Sequence, residues 1–493
     1  MKKVVTFLLL LATSAPAYEA FQGPTELLYW DKTQAAEGYT FFGVRGTTYL
    51  VDMEGRVAHT WPVGTNPHLL DDGSVLDASK DDVSGFGGFV QVAWDGTTVW
   101  SYLETRSNYM PHHDFTRIFN PKLGSNTTLY IANKTITSNQ CIAVGCDPSS
   151  GSYTNAQMDT IVEVDMGGNI IWEWGFYDHL VQDRDITKSN YVASISNHPG
   201  RLTANLPGRP VQRDWLHCNS IDYNQDLDHI VINSVGGEFY VIDHGKTFTA
   251  GDPAASIAAA AGTNGDFVYR FGDTARYEQG IKPAILTNWT ESTTGNKQIG
   301  GTHHVGWIPE GKPGAGRLLM FSNSQNLFEH TQASYVLEVD PFRNAAGDHT
   351  SDYVNPPDAG YNLWPAPGPN TDKADKWMSR QIVWHFASKA SHGMFSHIGS
   401  GAQRLANSNT LVCADTEGHI IEVTPSGEVV WEYINPVTSE GKLKYRRDTW
   451  PMQNSIFRAF RYLSSDPPLD GRILTPGSTI TGRTPSYRKV DTL

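Results

Sequence analysis

The sequence predicts an all-β fold: a β-propeller, with six blades of four antiparallel strands and long inter-strand inserts. Helical periodicity is scarce among the 493 residues, whereas short alternating strand patterns recur along the whole chain. Two hairpin patterns repeat, and one copy of each makes a unit of four strands. Repeats of about 40–50 residues or longer with this content are typical of propeller blades.

The first repeated pattern is an apolar strand ending in an acidic or polar residue, a glycine turn, and a strand ending in an aromatic residue. Its clearest copies are Tyr49–Trp61, Val162–Trp172 and Ile421–Trp431. Degenerate copies end at Trp100, Tyr269 and Trp384. Each copy predicts a β-hairpin with a tight polar turn.

The second repeated pattern begins with a histidine that leads into a strand, a turn and another strand. The histidines at this position are His68, His113, His217, His304 and His397. Because the innermost strand of each blade lines the central channel, residues at equivalent positions form a ring around the axis. We therefore expect histidines around the channel, although any one of them can also serve only to hold the start of a strand.

Five units are visible, and a sixth requires an N-terminal strand near Phe41–Asp52 to join the segment Ser455–Tyr462.

The N-terminus has the pattern of a signal peptide, with Lys2 and Lys3, a short apolar stretch and an A-x-A pattern, so we expect a periplasmic or extracellular protein. The predicted segments are a signal peptide at 1–17, a lead-in at 18–40, the propeller at 41–462 and an extended tail at 463–493.

Several classes of partner and chemistry are excluded by composition and motifs. With 38 basic and 52 acidic residues the net charge is −14, which argues against duplex nucleic acid and anionic membranes. No later stretch is long and apolar enough for membrane insertion. No phosphate-binding loop, serine elbow or H-E-x-x-H motif is present, and we predict no cofactor. A three-histidine metal site stays geometrically possible, although no metal is predicted.

Four cysteines are compatible with an oxidising compartment. Cys141 and Cys146 bracket four residues, and we predict a local disulfide between them, with two free thiols as the alternative. Cys218 and Cys413 lie in strand-like apolar runs and are predicted to be buried. The oligomeric state is left open.

Three segments resemble the bacterial arylsulfotransferase family: Asp214–Tyr223, His304–Pro309 and His397–Leu411. The resemblance extends over most of the chain, from about Phe41 to Tyr462, and the D-W-x-H-x-N-S segment is its most specific part. Members of this family are exported six-bladed propellers that move a sulfuryl group between phenols without a nucleotide donor. The implied small-molecule partners are an aryl sulfate and a phenol.

Family members use a channel histidine as the covalent sulfuryl acceptor, assisted by further histidines and an arginine. By resemblance, His397 is assigned as the acceptor, with His304 and His217 as its catalytic partners. The candidates for substrate binding are Asn219, Trp215, Trp307, Asn323 and Arg404. This sequence departs from the family after His304, because the segment Phe321–Glu329 contains no arginine.

The first hypothesis is therefore an exported, nucleotide-independent aryl-sulfate sulfotransferase that works through a sulfohistidine intermediate. The alternative is a noncatalytic secreted propeller that binds a ligand or a partner, which the arginine-free segment favours. A third hypothesis is a quinone-dependent dehydrogenase, because similar tryptophan-ended hairpins also occur in those propellers.

Overall fold

The computed structural model describes residues 23–80, 85–146, 155–206, 211, 213–273, 276–278, 285–287, 290–292, 299–323, 334–341, 381–387, 395–446 and 453–487. Six antiparallel sheets form the six blades of a β-propeller, which confirms the predicted fold class. The predicted signal peptide lies outside the described residues.

Each blade contains four consecutive antiparallel strands, except that the innermost strand of blade one comes from the end of the chain. From inside to outside, blade one contains Ala459–Tyr462, Tyr39–Val44, Thr47–Val51 and Val57–Trp61. Blade two contains His68–Leu69, Val75–Ala78, Gly88–Val92 and Thr98–Leu103. Blade three contains Tyr109–Asn120, Ser125–Thr137, Asn155–Asp165 and Ile170–Gly175. Blade four contains Ile221–Asn224, His229–Ser234, Glu238–Asp243 and Phe267–Phe271. Blade five contains Thr302–Trp307, Leu318–Ser322, Tyr335–Val339 and Ile382–Ala387. Blade six contains Gly401–Arg404, Thr410–Ala414, His419–Val423 and Val429–Ile434.

The ring is closed at two places by strands from opposite ends of the chain. Ala459–Tyr462 pairs with Tyr39–Val44 and becomes the innermost strand of blade one. Glu26–Trp30, which falls within the predicted lead-in, pairs with Val429–Ile434 and adds a fifth, outermost strand to blade six. The predicted joining of the N-terminal strand to the late segment is therefore present, and one further sheet edge is covered.

The core is divided among the six interfaces between neighbouring blades. Each interface holds one cluster of buried apolar side chains, such as Phe41, Leu50 and Val75 between blades one and two. Equivalent clusters lie between the other pairs of neighbours around the ring. Burial of apolar surface contributes about 25 cal/mol per Å² to stability. Because these clusters are buried between neighbouring blades, no blade is stabilised independently of its neighbours.

The first sequence pattern corresponds to the two outer strands of every blade. In all six blades the pairing shifts by one residue just before the turn, as at Val51 and Val164, which is a β-bulge at an equivalent position. In blade one an aspartate side chain holds the turn, because Asp52 Oδ1 accepts from the main-chain N–H of Glu54 and of Arg56. In blade six Thr424 Oγ1 accepts from the main-chain N–H of Glu428 at the equivalent turn.

The predicted hairpins with tight polar turns are confirmed in blades one, two, three and six. In blades four and five, where the pattern ends at Tyr269 and Trp384, the prediction of a tight turn is wrong, because the long segments 244–266 and 340–381 join the two outer strands.

Outside the blades, short elements occupy the inserts and the C-terminal segment. The two-stranded pairings are Gly23–Pro24 with Tyr445–Arg446, Leu180–Val181 with Leu202–Thr203, Ile285–Thr287 with Thr290–Ser292, and Val437–Thr438 with Gly441–Lys442. The α-helices are Ser138–Ala143, His244–Thr247 and Pro253–Ala260, and the 3₁₀ turns are Phe176–His179, Ile195–Asn197, Thr263–Gly265 and Asp415–Glu417. None of the helices in the described ranges has the length and apolar character needed to cross a membrane.

Candidate functional site

A cluster of histidines lies where the inner strands of blades three, four and five approach the axis. The rings of His113 and His217 are 4.7 Å apart between centroids, and those of His217 and His303 are 6.5 Å apart. His112 adjoins His113 in the same strand, with their Nδ1 atoms 2.8 Å apart. We call these four residues the histidine cluster.

Two residues of the histidine cluster have unusual backbone geometry. His113 has φ of 55° and His217 has φ of 52°, in the left-handed region that residues other than glycine seldom adopt. At His113 the pairing with the next strand is interrupted between Pro111 and Phe115, so the chain bulges there. Left-handed backbone at such residues costs about 1–3 kcal/mol each and occurs where surrounding contacts enforce it.

His217 is held by a carboxylate three residues earlier in the chain. Its Nδ1 lies 2.6 Å from Asp214 Oδ2, and the backbone of Asp214 is also left-handed, with φ of 55°. Although burial opposes it, the hydrogen bond and positive field of His217 lower the pKa of Asp214. Since a carboxylate can only accept, the hydrogen of a neutral His217 is on Nδ1 and the lone pair is on Nε2.

The ring of His303 is oriented in a similar way, by the side-chain amide of Asn323. Its Nδ1 lies 2.8 Å from Asn323 Oδ1 and 3.0 Å from the carbonyl oxygen of Gly301. The amide orientation of Asn323 is fixed because its Nδ2 donates to the carbonyl oxygens of Ser396 and Gly399. Both neighbours of His303 Nδ1 are therefore acceptors, and this ring too carries its hydrogen on Nδ1.

His113 is positioned through its neighbour. His112 Nε2 lies 3.3 Å from Asp159 Oδ1 without forming a hydrogen bond to it. The Nδ1 atoms of His112 and His113 are 2.8 Å apart, so one of the two nitrogens donates to the other. The tautomer with the hydrogen on Nδ1 is therefore fixed for His217 and His303, because the partners of their Nδ1 atoms are acceptors.

Burial keeps the inner members of the cluster uncharged. Burial lowers the pKa of His113 well below its usual value, and the fields of His112, His217, His303 and Arg458 lower it further. Burial likewise lowers the pKa of His303 to about 4, outweighing its hydrogen bonds to Gly301 and Asn323. At neutral pH both rings are neutral and can accept a proton when an anion approaches.

Beside the cluster, Arg458 contacts the inner strands of blades three and five and the residues just before the inner strand of blade four. Its Nη1 donates to Asp114 Oδ2 at 2.7 Å, and its Nη2 donates to the carbonyl oxygens of Asn219 and His303 at 3.0 Å each. Despite burial, Arg458 holds the pKa of Asp114 below its usual range. His68 Nε2 lies 3.4 Å from Asp114 Oδ1.

The three histidines predicted to be catalytic occupy different surroundings. His217 belongs to the cluster. For His304, the described neighbours are Arg458, Asp114 and His68, and burial with the Arg458 charge lowers its pKa to about 3. His397 is exposed, and its described ring contact is with Phe395, at 6.4 Å. It is the adjacent His303, rather than His304, whose ring contacts His217.

Two of the predicted substrate-binding residues act within or next to the cluster. Asn323 orients His303, as described above. Asn219 is buried, its side chain pairs with that of Asn233, and its carbonyl oxygen accepts from Arg458. Both residues hold the architecture of the site.

The other three predicted substrate-binding residues are placed in interfaces between blades. Trp215 has no exposed surface and packs in the core between blades three and four, whereas Trp307 packs between blades four and five. Arg404 Nη2 donates to Glu338 Oε2 at 2.6 Å, between blades five and six. The structure does not bring these three side chains to the cluster.

The predicted disulfide is not formed in the structure. Cys141 and Cys146 are both buried free thiols, and a hydrogen bond from Cys146 lowers the pKa of Cys141. The N–H of Cys146 donates to the carbonyl oxygen of Cys141 at 3.1 Å, which closes the end of the helix Ser138–Ala143. Cys218 and Cys413 are buried, as the sequence predicts.

Sequence reasoning did not identify Asp214, His112, His303 or Arg458 as site residues. Asp214 stands in the D-W-x-H motif, three positions before His217, and that spacing was the available signal. His303 adjoins a predicted histidine, so only the strand bulge between Thr302 and His304 decides which ring faces His217. Arg458 comes from the late segment that closes the ring.

Within the described ranges, no group of three or more His, Cys, Asp or Glu side chains is arranged to hold a metal ion.

Among solved structures, the chain is similar to a protein of unknown function from Bacteroides caccae, with 10% identity over 86% of this chain and 98% of that one and a TM-score of 0.37. It is also similar to the WD40 domain of Toxoplasma gondii coronin, with 8% identity over 84% and 75% of the two chains and a TM-score of 0.33. No curated protein sequence matches the chain.

The family comparison concerns the segment that contains the D-W-x-H-x-N-S motif. The model of the arylsulfotransferase (ASST) family matches residues 137–243, which include Asp214, His217 and the first three strands of blade four. The resemblance to the arylsulfotransferase family that the sequence motifs predicted is thereby confirmed over residues 137–243.

Proposed function

We propose that this protein transfers a sulfuryl group from an aryl sulfate to a phenolic acceptor through a sulfohistidine intermediate. The observation that carries the proposal is the contact of His217 with His113 and His303, in which acceptors keep the hydrogens of His217 and His303 on Nδ1. Neutral imidazole nitrogen with an available lone pair is the nucleophile that such a transfer requires.

In the first step, a histidine Nε2 attacks sulfur, the bond between sulfur and the aryl oxygen breaks, and the aryl oxide leaves. In the second, the oxygen of the acceptor phenol attacks the same sulfur, the N–S bond breaks, and the phenolic proton passes to a base. Histidine supplies proton transfer of this kind near neutral pH.

The buried neutral rings also provide a means of binding the anionic donor. An anion that enters beside His113 and His303 raises the pKa of these rings, because an opposite charge stabilises the imidazolium form. A ring that takes up a proton becomes a donor to the sulfuryl oxygens and an acid for the leaving aryl oxide. The protonated histidine would supply the positive charge that family members obtain from an arginine, which the segment Phe321–Glu329 lacks.

The test is a transfer assay with 4-nitrophenyl sulfate and phenol. We expect release of 4-nitrophenolate that depends on phenol, together with an equal amount of phenyl sulfate. Binding of the aryl sulfate without release would support the alternative, a noncatalytic ligand-binding propeller, which the arginine-free segment favours. A quinone chromophore in the visible spectrum of the purified protein would support the dehydrogenase hypothesis.

We also propose that the protein is exported after removal of residues 1–17, on the basis of the sequence pattern there. N-terminal sequencing of protein recovered outside the cytoplasm should begin at Tyr18. Recovery only inside the cytoplasm with Met1 retained would contradict export.

A further inference from the structure

We infer that the segment 395–400 and the neighbouring Phe457 form the surface that recognises the aromatic ring of the ligand. This assignment rests on the proposed function, because the ligand is the aryl sulfate named there. It goes further by naming the part of the site that selects aryl sulfates over alkyl sulfates, a role that involves no covalent step.

The usual pattern of burial is reversed within the segment 395–400. Its two serines, Ser396 and Ser400, have no exposed surface, whereas Phe395 is partly exposed and Ile398 is 46% exposed. Serine is mostly found at protein surfaces, and phenylalanine and isoleucine are mostly found in cores. A segment that buries its hydroxyl groups and presents its apolar groups is suited to a ligand that has an apolar part.

Hydrogen bonds to the buried serines hold this segment in place. The N–H of Ser396 donates to Ser334 Oγ at 2.9 Å, and Ser396 Oγ accepts from the N–H of Thr416 at 3.2 Å. Ser400, whose backbone is left-handed with φ of 85°, accepts through its Oγ from the N–H of Asp415. The exposed side chains are therefore presented by a fixed backbone, which reduces the entropy lost when a ligand packs against them.

A single side chain joins the segment to the histidine cluster. Asn323 Oδ1 accepts from His303 Nδ1 at 2.8 Å. The Nδ2 of the same amide donates to the carbonyl oxygens of Ser396 and Gly399, at 2.8 and 3.2 Å. A ligand whose anionic group lies beside His303 therefore has the apolar side chains of the segment next to the rest of the molecule.

Phe457 adds a second aromatic ring from the closing segment of the chain. The N–H of Ser400 donates to the carbonyl oxygen of Phe457 at 2.9 Å, so the two segments adjoin each other. The guanidinium carbon of Arg458 lies 4.9 Å from the centre of the Phe457 ring, and this arginine also donates to the carbonyl oxygen of His303. Phe457 is partly exposed and, among the described residues, lies outside the six core clusters, whereas Phe460 packs in one of them.

The combined surface is complementary to an anion that carries an aromatic ring. Neutral histidines that can take up a proton lie on one side, and the apolar side chains of Phe395, Ile398 and Phe457 lie on the other. Contact between aromatic rings strengthens binding by about 2–10-fold for each pair. An alkyl sulfate reaches the histidines but gains nothing from the two rings, so the surface favours aryl sulfates.

The experiment measures the affinities of two sulfonates, benzenesulfonate and methanesulfonate, by calorimetric titration of the full-length protein. In both probes a C–S bond replaces the S–O bond that is broken in transfer, so they are bound without being consumed. The variants are Phe395→Ala, Phe457→Ala and Ile398→Ser. Circular dichroism melting checks that each variant is folded.

The matched control is Phe119→Ala. Phe119 is also exposed, at 42%, but it lies near the far end of the strand Tyr109–Asn120, about 20 Å beyond His113 at the usual rise per residue. Phe395 lies in an exposed segment, so Phe395→Ala tests the assignment even where Phe457→Ala is unstable.

We expect the wild type to bind benzenesulfonate about tenfold or more tightly than methanesulfonate. Phe395→Ala and Phe457→Ala should each weaken the binding of benzenesulfonate by about 2–10-fold and change that of methanesulfonate by less than about twofold. Ile398→Ser should act in the same direction, and Phe119→Ala should change neither affinity. In the assay with 4-nitrophenyl sulfate, the first two variants should raise KM more than they lower kcat, because the surface binds the ground state and the transition state alike.

Three results would overturn the assignment: equal affinity of the wild type for the two sulfonates, unchanged affinity in the folded variants of Phe395 and Phe457, or an equal loss in Phe119→Ala. Phenol-dependent release of 4-nitrophenolate alongside any of them would show that the proposed function stands without this surface. Selective binding of benzenesulfonate through Phe395 and Phe457, without transfer from 4-nitrophenyl sulfate, would instead support the surface and reject the proposed transfer.

Discussion

Arg458 Nη1 donates a 2.7 Å hydrogen bond to Asp114 Oδ2, although the two residues are 344 positions apart in the chain. Both side chains are almost fully buried, and the same guanidinium bonds the carbonyl oxygens of Asn219 and His303. The contact therefore ties the closing segment of the chain to the inner strands that carry the histidine cluster.

Breaking this buried pair should be costly. Arg458→Met keeps most of the apolar stem but leaves the Asp114 carboxylate buried and short of its cation, so we expect a loss of about 3–5 kcal/mol in the free energy of unfolding. Chemical denaturation measures it. The matched control is Arg56→Met, which removes an exposed pair with Glu54 and should cost about 1 kcal/mol or less. Equal losses in the two variants would contradict this prediction.

Ring closure should be required for cooperative folding. Ending the chain after Thr449, a position outside the described residues, removes the strand Ala459–Tyr462 and exposes an inner edge of blade one. We expect such a protein to lose its single cooperative melting transition. Deletion through Trp30 removes the outermost strand of blade six and the short strand Gly23–Pro24, but no inner strand. It should lower the melting temperature while preserving cooperativity. A truncated chain that melts as sharply as the full one would show that closure is dispensable.

Stability should fall at alkaline pH because of a buried histidine away from the site. His244 is paired with Asp228 and Glu163, and although burial opposes them, these carboxylates raise its pKa to about 9. A histidine whose pKa is higher in the folded than in the unfolded protein stabilises the folded state. This contribution is complete below the unfolded pKa of about 6.5, and it is lost as the pH rises through the folded pKa. The shift corresponds to about 3 kcal/mol.

The measurement is the free energy of unfolding of wild type and His244→Gln at about pH 8 and about pH 10. Asp415, whose pKa burial raises to about 7, is largely ionised across this range and adds little to the difference. We expect the wild type to lose more stability than His244→Gln between the two pH values. Parallel losses would assign the alkaline instability to other groups.

Binding of an anionic aryl ligand should be coupled to proton uptake. His303, with its pKa lowered to about 4 by burial, is neutral at pH 7 and gains a proton when the anion raises that pKa. An aryl sulfonate, which keeps its charge throughout, should bind up to about tenfold more tightly for each unit decrease in pH. Calorimetry in buffers of different ionisation enthalpy counts the protons taken up, with His303→Gln expected to take up fewer. Affinity independent of pH would contradict the mechanism.

The repeats made the propeller readable from sequence, because each blade reuses the same bulge and strand alternation, and four of the six the same tight turn, as Val51, Asp52 and Trp61 illustrate. The region of the site was predictable as well, since histidines recur in or just before the inner strands of blades two to six. Individual roles were less accessible: a single bulge between Thr302 and His304 decides that His303 meets His217.

Other roles depend on contacts between distant parts of the chain. Trp215 follows a left-handed residue, and that turn directs its indole into the core rather than towards a ligand. Arg404 is taken up by Glu338 of the neighbouring blade, and Arg458 meets Asp114 only after the ring has closed. Local sequence carries no information about such partnerships.

The left-handed backbone at His113 and His217 also bears on how proteins of this architecture diverge. Of the residues that tolerate this conformation, asparagine and aspartate are each one nucleotide away from either histidine codon. A point mutation can therefore delete an imidazole from the axis without disturbing the backbone that displayed it. If the proposed transfer takes place, ligand-binding descendants that have lost it are only a few point mutations away.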